Sequence, residues 1–156
     1  MAREPKAEPG TVVYTDGACI GNPGRGGWAW AVSAERFGSG FDPATTTQRM
    51  ELTATIEAMK ALQGSAKPLL IVSDSTYVVN CFKQRWWDGW PARGWRNSQR
   101  QPVANRELWE TWIDLVTGYW KQQIDFQWVK GHSGEKMNEL VDSLANESAR
   151  KQVSLG

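Results

Sequence analysis

The sequence predicts an α/β fold: a mixed sheet with helices packed on it. Two observations carry this expectation. The first half of the chain holds closely spaced strand-like segments, and the second half alternates strand with helix. A third sets the scale, because 156 residues fit one domain and leave little room for two.

Residues 1–10 (MAREPKAEPG) are charged, carry two prolines, and read as a disordered tail. Thr11 to Thr15 (TVVYT) is a short strand ending at Asp16–Gly17. The next stretch, GACIGNPGRGG, holds five glycines and a proline and reads as a loop. Trp28 to Ser33 is a second strand and Arg36 to Phe41 a third. Their connection, Ala34–Glu35, is short enough for an antiparallel hairpin.

Thr45-Thr46-Thr47 opens a helix to about Gln63, with Met50, Ile56, Met59 and Leu62 at helical spacing and Gly64 as the stop. Leu69 to Ser73 (LLIVS) is an uninterrupted apolar run, the mark of a strand buried on both faces, and it ends at Asp74. Ser75 to about Phe82 is a second helix. After the segment 83–106, a helix runs from Arg106 to about Trp120, with Leu108, Trp109, Trp112, Leu115 and Val116 on its apolar side. Ile124 to Val129 alternates as a strand does. Met137 to about Lys151 is a last helix with Leu140, Val141, Leu144 and Ala145 inward. The domain therefore spans 11–151, with a tail at 152–156.

Composition excludes several classes. Hydrophobic residues make up 40% and charged residues 22%, ordinary globular usage, so wholesale disorder is not expected. No apolar run approaches the roughly 20 residues of a spanning helix, so no membrane partner is expected. The polar start lacks a secretory h-region. Cys19 and Cys81 have no CxxC spacing, which fits two reduced thiols in a cytoplasmic protein.

Net charge is +1, but its distribution is uneven. Six basic residues (Lys83, Arg85, Arg93, Arg96, Arg100, Arg106) lie in 83–106 against one acid, Asp88. Seven of the ten tryptophans fall between Trp86 and Trp120. Arginine interleaved with tryptophan favours a phosphate-bearing ligand over a carbohydrate.

Two strands end in an aspartate, Asp16 and Asp74. Side chains at the carboxyl ends of neighbouring parallel strands point into one crevice. Glu51, in Arg49-Met50-Glu51-Leu52, and Asp142, between Leu140 and Leu144, sit among core-type residues on helices. Read singly, these acids have plain roles: Asp16 in a turn before glycine, Asp74–Ser75 as a helix cap. Read together, four converging carboxylates repel one another unless divalent cations sit among them, and oxygen donors suit Mg²⁺ or Mn²⁺. His132, the only histidine, lies in a loop between Gly131 and Gly134. It could move protons near neutral pH, although a lone loop histidine is more often inert.

Five blocks, in order, carry a resemblance. They are Tyr14-Thr15-Asp16-Gly17 with Gly21-Asn22-Pro23-Gly24; Arg49-Met50-Glu51-Leu52; Val72-Ser73-Asp74-Ser75; Trp128 to Gly134; and Asn138-Glu139 with Asp142. Together they resemble the ribonuclease HI family, from about Val12 to Arg150. The resemblance implies a five-stranded sheet, three strands antiparallel and then two parallel, with helices on both faces. It implies an endonuclease that cuts the RNA strand of an RNA–DNA hybrid and leaves 5′-phosphate and 3′-hydroxyl ends. Asp16, Glu51, Asp74 and Asp142 would hold two Mg²⁺ ions, with Mn²⁺ as a substitute, and Asp16 would bridge them. His132 would assist proton movement or product departure.

The resemblance also implies substrate contacts. Gly17, Cys19 and Asn22 would lie along the minor groove, where 2′-hydroxyls mark the RNA strand. Thr46 and Asn105 would hold a DNA phosphate. Trp90, Arg93 and Trp95 would form a basic, aromatic handle on the DNA strand, with Trp90 against deoxyribose. Trp86, Trp87, Trp109 and Trp112 are expected in the core. Four positions depart from the family pattern: Thr47-Gln48 stand for Asn-Asn, Thr76 for Gln, and Ala44 for an arginine. These bear on affinity rather than chemistry. A monomer suffices. The alternatives are a catalytically silent hybrid-binding module, or a nuclease of the same fold acting on DNA.

Overall fold

The computed structural model describes residues 9–119, 123–131 and 134–156. Within them the strands are β1 (Thr11–Ile20), β2 (Gly24–Ser33), β3 (Arg36–Thr45), β4 (Leu69–Ser73) and β5 (Ile124–Trp128). The helices are α1 (Thr47–Ala61), α2 (Thr76–Lys83), the short α3 (Trp86–Gly89), α4 (Arg106–Gly118) and α5 (Lys136–Lys151), with a 3₁₀ turn at Pro91–Arg93. The sheet order is β3-β2-β1-β4-β5. β1–β2 and β2–β3 are antiparallel, while β1–β4 and β4–β5 are parallel. The expected mixed sheet is therefore present. The end of the α4 segment at Trp120 lies outside the described residues, as do residues 1–8 of the amino-terminal segment.

The glycine-rich stretch is where sequence and structure part. It reads as a loop, yet β1 continues through it to Ile20 and β2 begins at Gly24. The reason is the antiparallel ladder, which runs from Tyr14↔Ala31 through Asp16↔Ala29 to Ile20↔Arg25. Asp16 thus sits inside a strand rather than at its end. The parallel ladder between β1 and β4 stops earlier, at Thr15↔Ser73. Asp16 and Asp74 are therefore the first residues past the same rung. β3 likewise runs beyond Phe41, to Thr45, and the first helix starts later, with Thr46 as its cap.

Two apolar clusters sit on opposite faces, as alternation along β2 requires. Trp30 and Val32 face the larger cluster, where α1, α2 and α4 pack on the sheet through Leu52, Ile56, Val78, Trp109, Trp112 and Phe126. Ala29 and Ala31 face the smaller one, made with Val141 and Ala145 of α5. Small residues let α5 lie close: a Cβ at Gly27 would stand 2.5 Å from Ala149 N and collide with the Ala145 carbonyl.

Tryptophan dominates the larger core. Trp109 and Trp112 meet edge-on at 5.0 Å between ring centroids, and Trp112 packs on Trp87 at 6.0 Å and on Phe126 at 5.6 Å. Such pairs add about 0.5–1.5 kcal/mol each beyond their buried area. The Trp109 indole donates to Tyr77 Oη at 2.8 Å, so that core dipole is satisfied. The carboxyl-terminal residues return to the sheet edge, where Ser39 N donates to the Leu155 carbonyl and Leu155 N to Ser39 Oγ, each at 2.9 Å.

Candidate active site

The acids gather where β1 and β4 leave their shared ladder. Asp16 is 5% exposed and points toward α5, on the same face as its rung partner Ala29. Burial, the charge of Asp74, and a side-chain hydrogen bond and charge from Asp142 push its carboxyl from 3.8 up to about 9. One bond works the other way: Gly17 N donates to Asp16 Oδ1 at 2.9 Å. Asn146, one turn along α5, donates to Asp142 Oδ1 at 3.2 Å and fixes that side chain.

Glu51 enters from α1. Gly17 allows this, since a Cβ there would lie 2.8 Å from Glu51 Cα. Burial raises the Glu51 pKa and so does the charge of Asp74, while a hydrogen bond with Ser75 opposes them. Ser75 also caps α2, accepting from Val78 N at 3.2 Å. The structure thus brings Asp16, Glu51, Asp74 and Asp142 into electrostatic contact. They meet in pairs, and among the described residues no three acid, histidine or cysteine side chains form a ready-made cation cage. The donor chemistry nonetheless fits a hard cation: oxygen atoms only, one carboxyl almost wholly buried, and mutual repulsion that a divalent ion would cancel. His132 lies outside the described residues.

Around this nest the other expected contacts fall into two groups. At the start of α1, Asn22 Oδ1 accepts from Thr47 N at 3.0 Å, and the Cys19 thiol donates to the Thr45 carbonyl at 3.4 Å. Thr46 Oγ1 caps α1 by accepting from Arg49 N at 3.2 Å, and Arg49 Nη1 reaches Asn105 Oδ1, also at 3.2 Å. Arg49 therefore ties Thr46 to Asn105, and its ion pair with Glu107 lowers the pKa of that carboxyl. Gln48 and Thr76 are exposed at the first turns of their helices.

The second group is the excursion after α2. Arg93 is exposed there and Trp95 is half-buried beneath the Arg106 guanidinium, 5.0 Å from its ring. Trp90, expected against a deoxyribose, is only 7% exposed, wedged between Trp95 at 6.0 Å and Trp109 at 5.3 Å. Trp86, expected in the core, is 39% exposed instead. Two further residues, both within the motif blocks, join the site. Ser75 touches Glu51, and the Trp128 indole donates to the Asp74 carbonyl at 3.1 Å. A cap-forming serine beside Asp74 signals the first. Nothing in the sequence signals the indole bond of the second.

Comparison with known proteins settles the family. The RNase H family profile matches residues 8–150. The chain belongs to the RNase H family. A ribonuclease H from Syntrophomonas wolfei is 42% identical over 142 residues, covering 89% of this chain and 95% of that protein. Among solved structures, LC9-RNase H1, described as a type 1 RNase H with the type 2 active-site motif, superposes with a TM-score of 0.73. It is 29% identical, over 98% of this chain and 77% of the other. LC11-RNase H1, solved in complex with an RNA/DNA hybrid, shares the fold at a TM-score of 0.65 and 20% identity, over 90% of this chain and 96% of that one. RNase H enzymes are metal-dependent hydrolases that cut the RNA strand of RNA–DNA hybrids, and this chain is an enzyme of that class.

Proposed function

We propose that Asp16, Glu51, Asp74 and Asp142 hold two divalent cations, Mg²⁺ with Mn²⁺ as a substitute, for endonucleolytic cleavage that leaves 5′-phosphate and 3′-hydroxyl ends. The observation that carries this reading is the placement of buried Asp16 and of Asp74 directly past the rung where β1 and β4 part. When bound, such a pair of ions activates water and offsets charge on the scissile phosphate. Asp16, whose carboxyl feels both other aspartates, would hold the cations together with them. It would bind as the carboxylate, and Asn146 holds Asp142 oriented. Glu51 approaches Asp74 from the α1 side, held by Ser75. His132 is assigned the proton movement or product departure that the family resemblance implies.

Recognition divides between the strands of the hybrid. Gly17, Cys19, Asn22, Thr47, Gln48 and Thr76 are assigned to the RNA side, where 2′-hydroxyls distinguish RNA from DNA. Support comes from the Asn22–Thr47 bond, which joins two of them into one surface. Thr46 and Asn105 are assigned a DNA phosphate, supported by their common attachment to Arg49. Arg93 and Trp95 take the DNA strand farther along, and Trp90 acts there chiefly by holding the Trp95 ring. All four acids come from one chain, which supports action as a monomer. Two free thiols support a cytoplasmic setting, and no helix among the described residues is long and apolar enough to cross a membrane.

The test is incubation with a labelled RNA–DNA hybrid, with and without EDTA, beside the variant Asp74→Asn. We expect cleavage only with free Mg²⁺ or Mn²⁺. In Asp74→Asn the rate should fall by more than the roughly 100-fold typical of losing a residue outside the metal's own ligands, with hybrid binding in Ca²⁺ retained. Unchanged turnover in that variant removes the two-cation reading.

A further inference from the structure

β4 and β5 pair in parallel from Leu69↔Ile124 to Ser73↔Trp128, and Val129 N adds one more bond to the Ser73 carbonyl at 3.0 Å. At Asp74 this ladder has run out, because the chain turns toward α2. The Asp74 carbonyl is met by a side chain instead, the Trp128 indole, at 3.1 Å. The Trp128 ring is 47% exposed, so burial alone is a weak reason for so large an apolar residue at this edge. Three residues later the same segment comes alongside the carboxylate: a Cβ on Gly131 would lie 2.9 Å from Asp74 Oδ2. On the downstream side, Ser73 Oγ accepts from Ser75 N at 3.0 Å, and Ser75 caps α2. The main chain at Asp74 is thus gripped from two directions, and its carboxylate rests against a wall that has no side chain.

We infer that Trp128 is a positioning residue for Asp74: its indole N–H fixes the carbonyl from which the carboxylate is aimed, and Gly131 leaves room for the aimed group. This rests on the proposed role of Asp74 as a cation ligand. A group that orients a ligand sets how tightly the ion is held, with little direct bearing on the nucleic acid. Trp128 is also the last rung partner of Ser73, so the edge strand and the acid share one anchor.

The test is the Mg²⁺ Kd of substrate-free protein, read from backbone amide NMR shifts, for wild type, Trp128→Phe, Gly131→Ala, Asp74→Asn and the Trp128→Phe/Asp74→Asn pair. Trp128→Phe keeps a ring but loses the donor, and should weaken Mg²⁺ about tenfold. Metal-free Tm and KM for the hybrid should stay near wild type, and kcat lost at limiting Mg²⁺ should return as Mg²⁺ is raised. Gly131→Ala, which crowds the carboxylate and leaves the indole alone, should show the same pattern. Trp128→Phe should add nothing to Asp74→Asn, because both act through one side chain. An unchanged Kd in Trp128→Phe, or equal weakening with and without the Asp74 change, overturns the inference. Should Trp128→Phe fail to fold, an unchanged Kd in Gly131→Ala overturns it alone. If Asp74→Asn itself leaves the Kd unaltered, the ligand reading falls and this inference with it. If that variant loses Mg²⁺ while Trp128→Phe does not, only the positioning role falls.

Discussion

Replacing Gly27 with alanine tests how closely α5 must lie on the sheet. The added Cβ would stand 2.5 Å from Ala149 N and collide with the Ala145 carbonyl. Carbon atoms pack best at about 3.5–4.0 Å, so α5 must retreat by roughly 1 Å. Backbone lines both sides of this contact, and no flexible side chain can move aside. Overpacking of this kind costs about 1–3 kcal/mol. For a chain of this length that lowers Tm by roughly 2–4 °C per kcal/mol, or about 2–12 °C in all. The same retreat carries Asp142, one turn before Ala145, away from Asp16. A displacement near 1 Å at reacting groups costs on the order of 100-fold in rate, so kcat should fall by about 10- to 100-fold. Hybrid affinity in Ca²⁺ should hold, because the excursion bearing Arg93 is untouched. Thermal melts and steady-state kinetics at saturating Mg²⁺ measure both effects. Gly27→Ala with wild-type Tm and full kcat would refute the close-packing argument.

Three further outcomes are expected. Asp16 is held up to about 9 from 3.8 chiefly by burial, so the folded chain keeps a proton there that the unfolded chain has lost. Metal-free stability should therefore fall as pH rises from about 4 to 9, with the slope flattened by Mg²⁺ and reduced in Asp16→Asn; denaturant titrations in EDTA that stay level across this range would contradict it. Trp109→Ala empties the core beside Trp112 and removes the closer of two donors to Tyr77 Oη, which should cost about 3–5 kcal/mol by urea unfolding. Arg93→Ala should weaken hybrid binding and lower the salt slope of log K by about 1 if its exposed guanidinium meets a phosphate; an unaltered slope places Arg93 away from the backbone.

Much of the architecture was legible because the decisive patterns are local. An apolar run such as LLIVS can hardly be anything but an inner strand, and the spacing of Met50, Ile56 and Met59 needs no partner to be read. The glycine-rich stretch was not legible, since its glycines answer to helices distant in sequence: Gly17 to Glu51 and Gly27 to Ala145 and Ala149. Local propensity marks such residues as loop, while tertiary contact requires small residues inside a strand. The acids were legible as a set through their motif blocks, but the approach of Asp142 to Asp16 depends on how α5 lies over β1. Trp86 and Trp90 show the same limit. Nothing in the sequence says which ring the neighbouring Trp95 and Trp109 will enclose.

The two ladders along β1 have a bearing on errors in assembly. A slip of one position relative to either neighbour would swing Asp16 across to the side occupied by α1 and bring Thr15 or Gly17 in its place. To misplace that one acid the chain must unzip a parallel seam and an antiparallel seam at once. Fidelity at this buried acid is thus enforced by main-chain pairing on both flanks, before any side chain near it has been consulted.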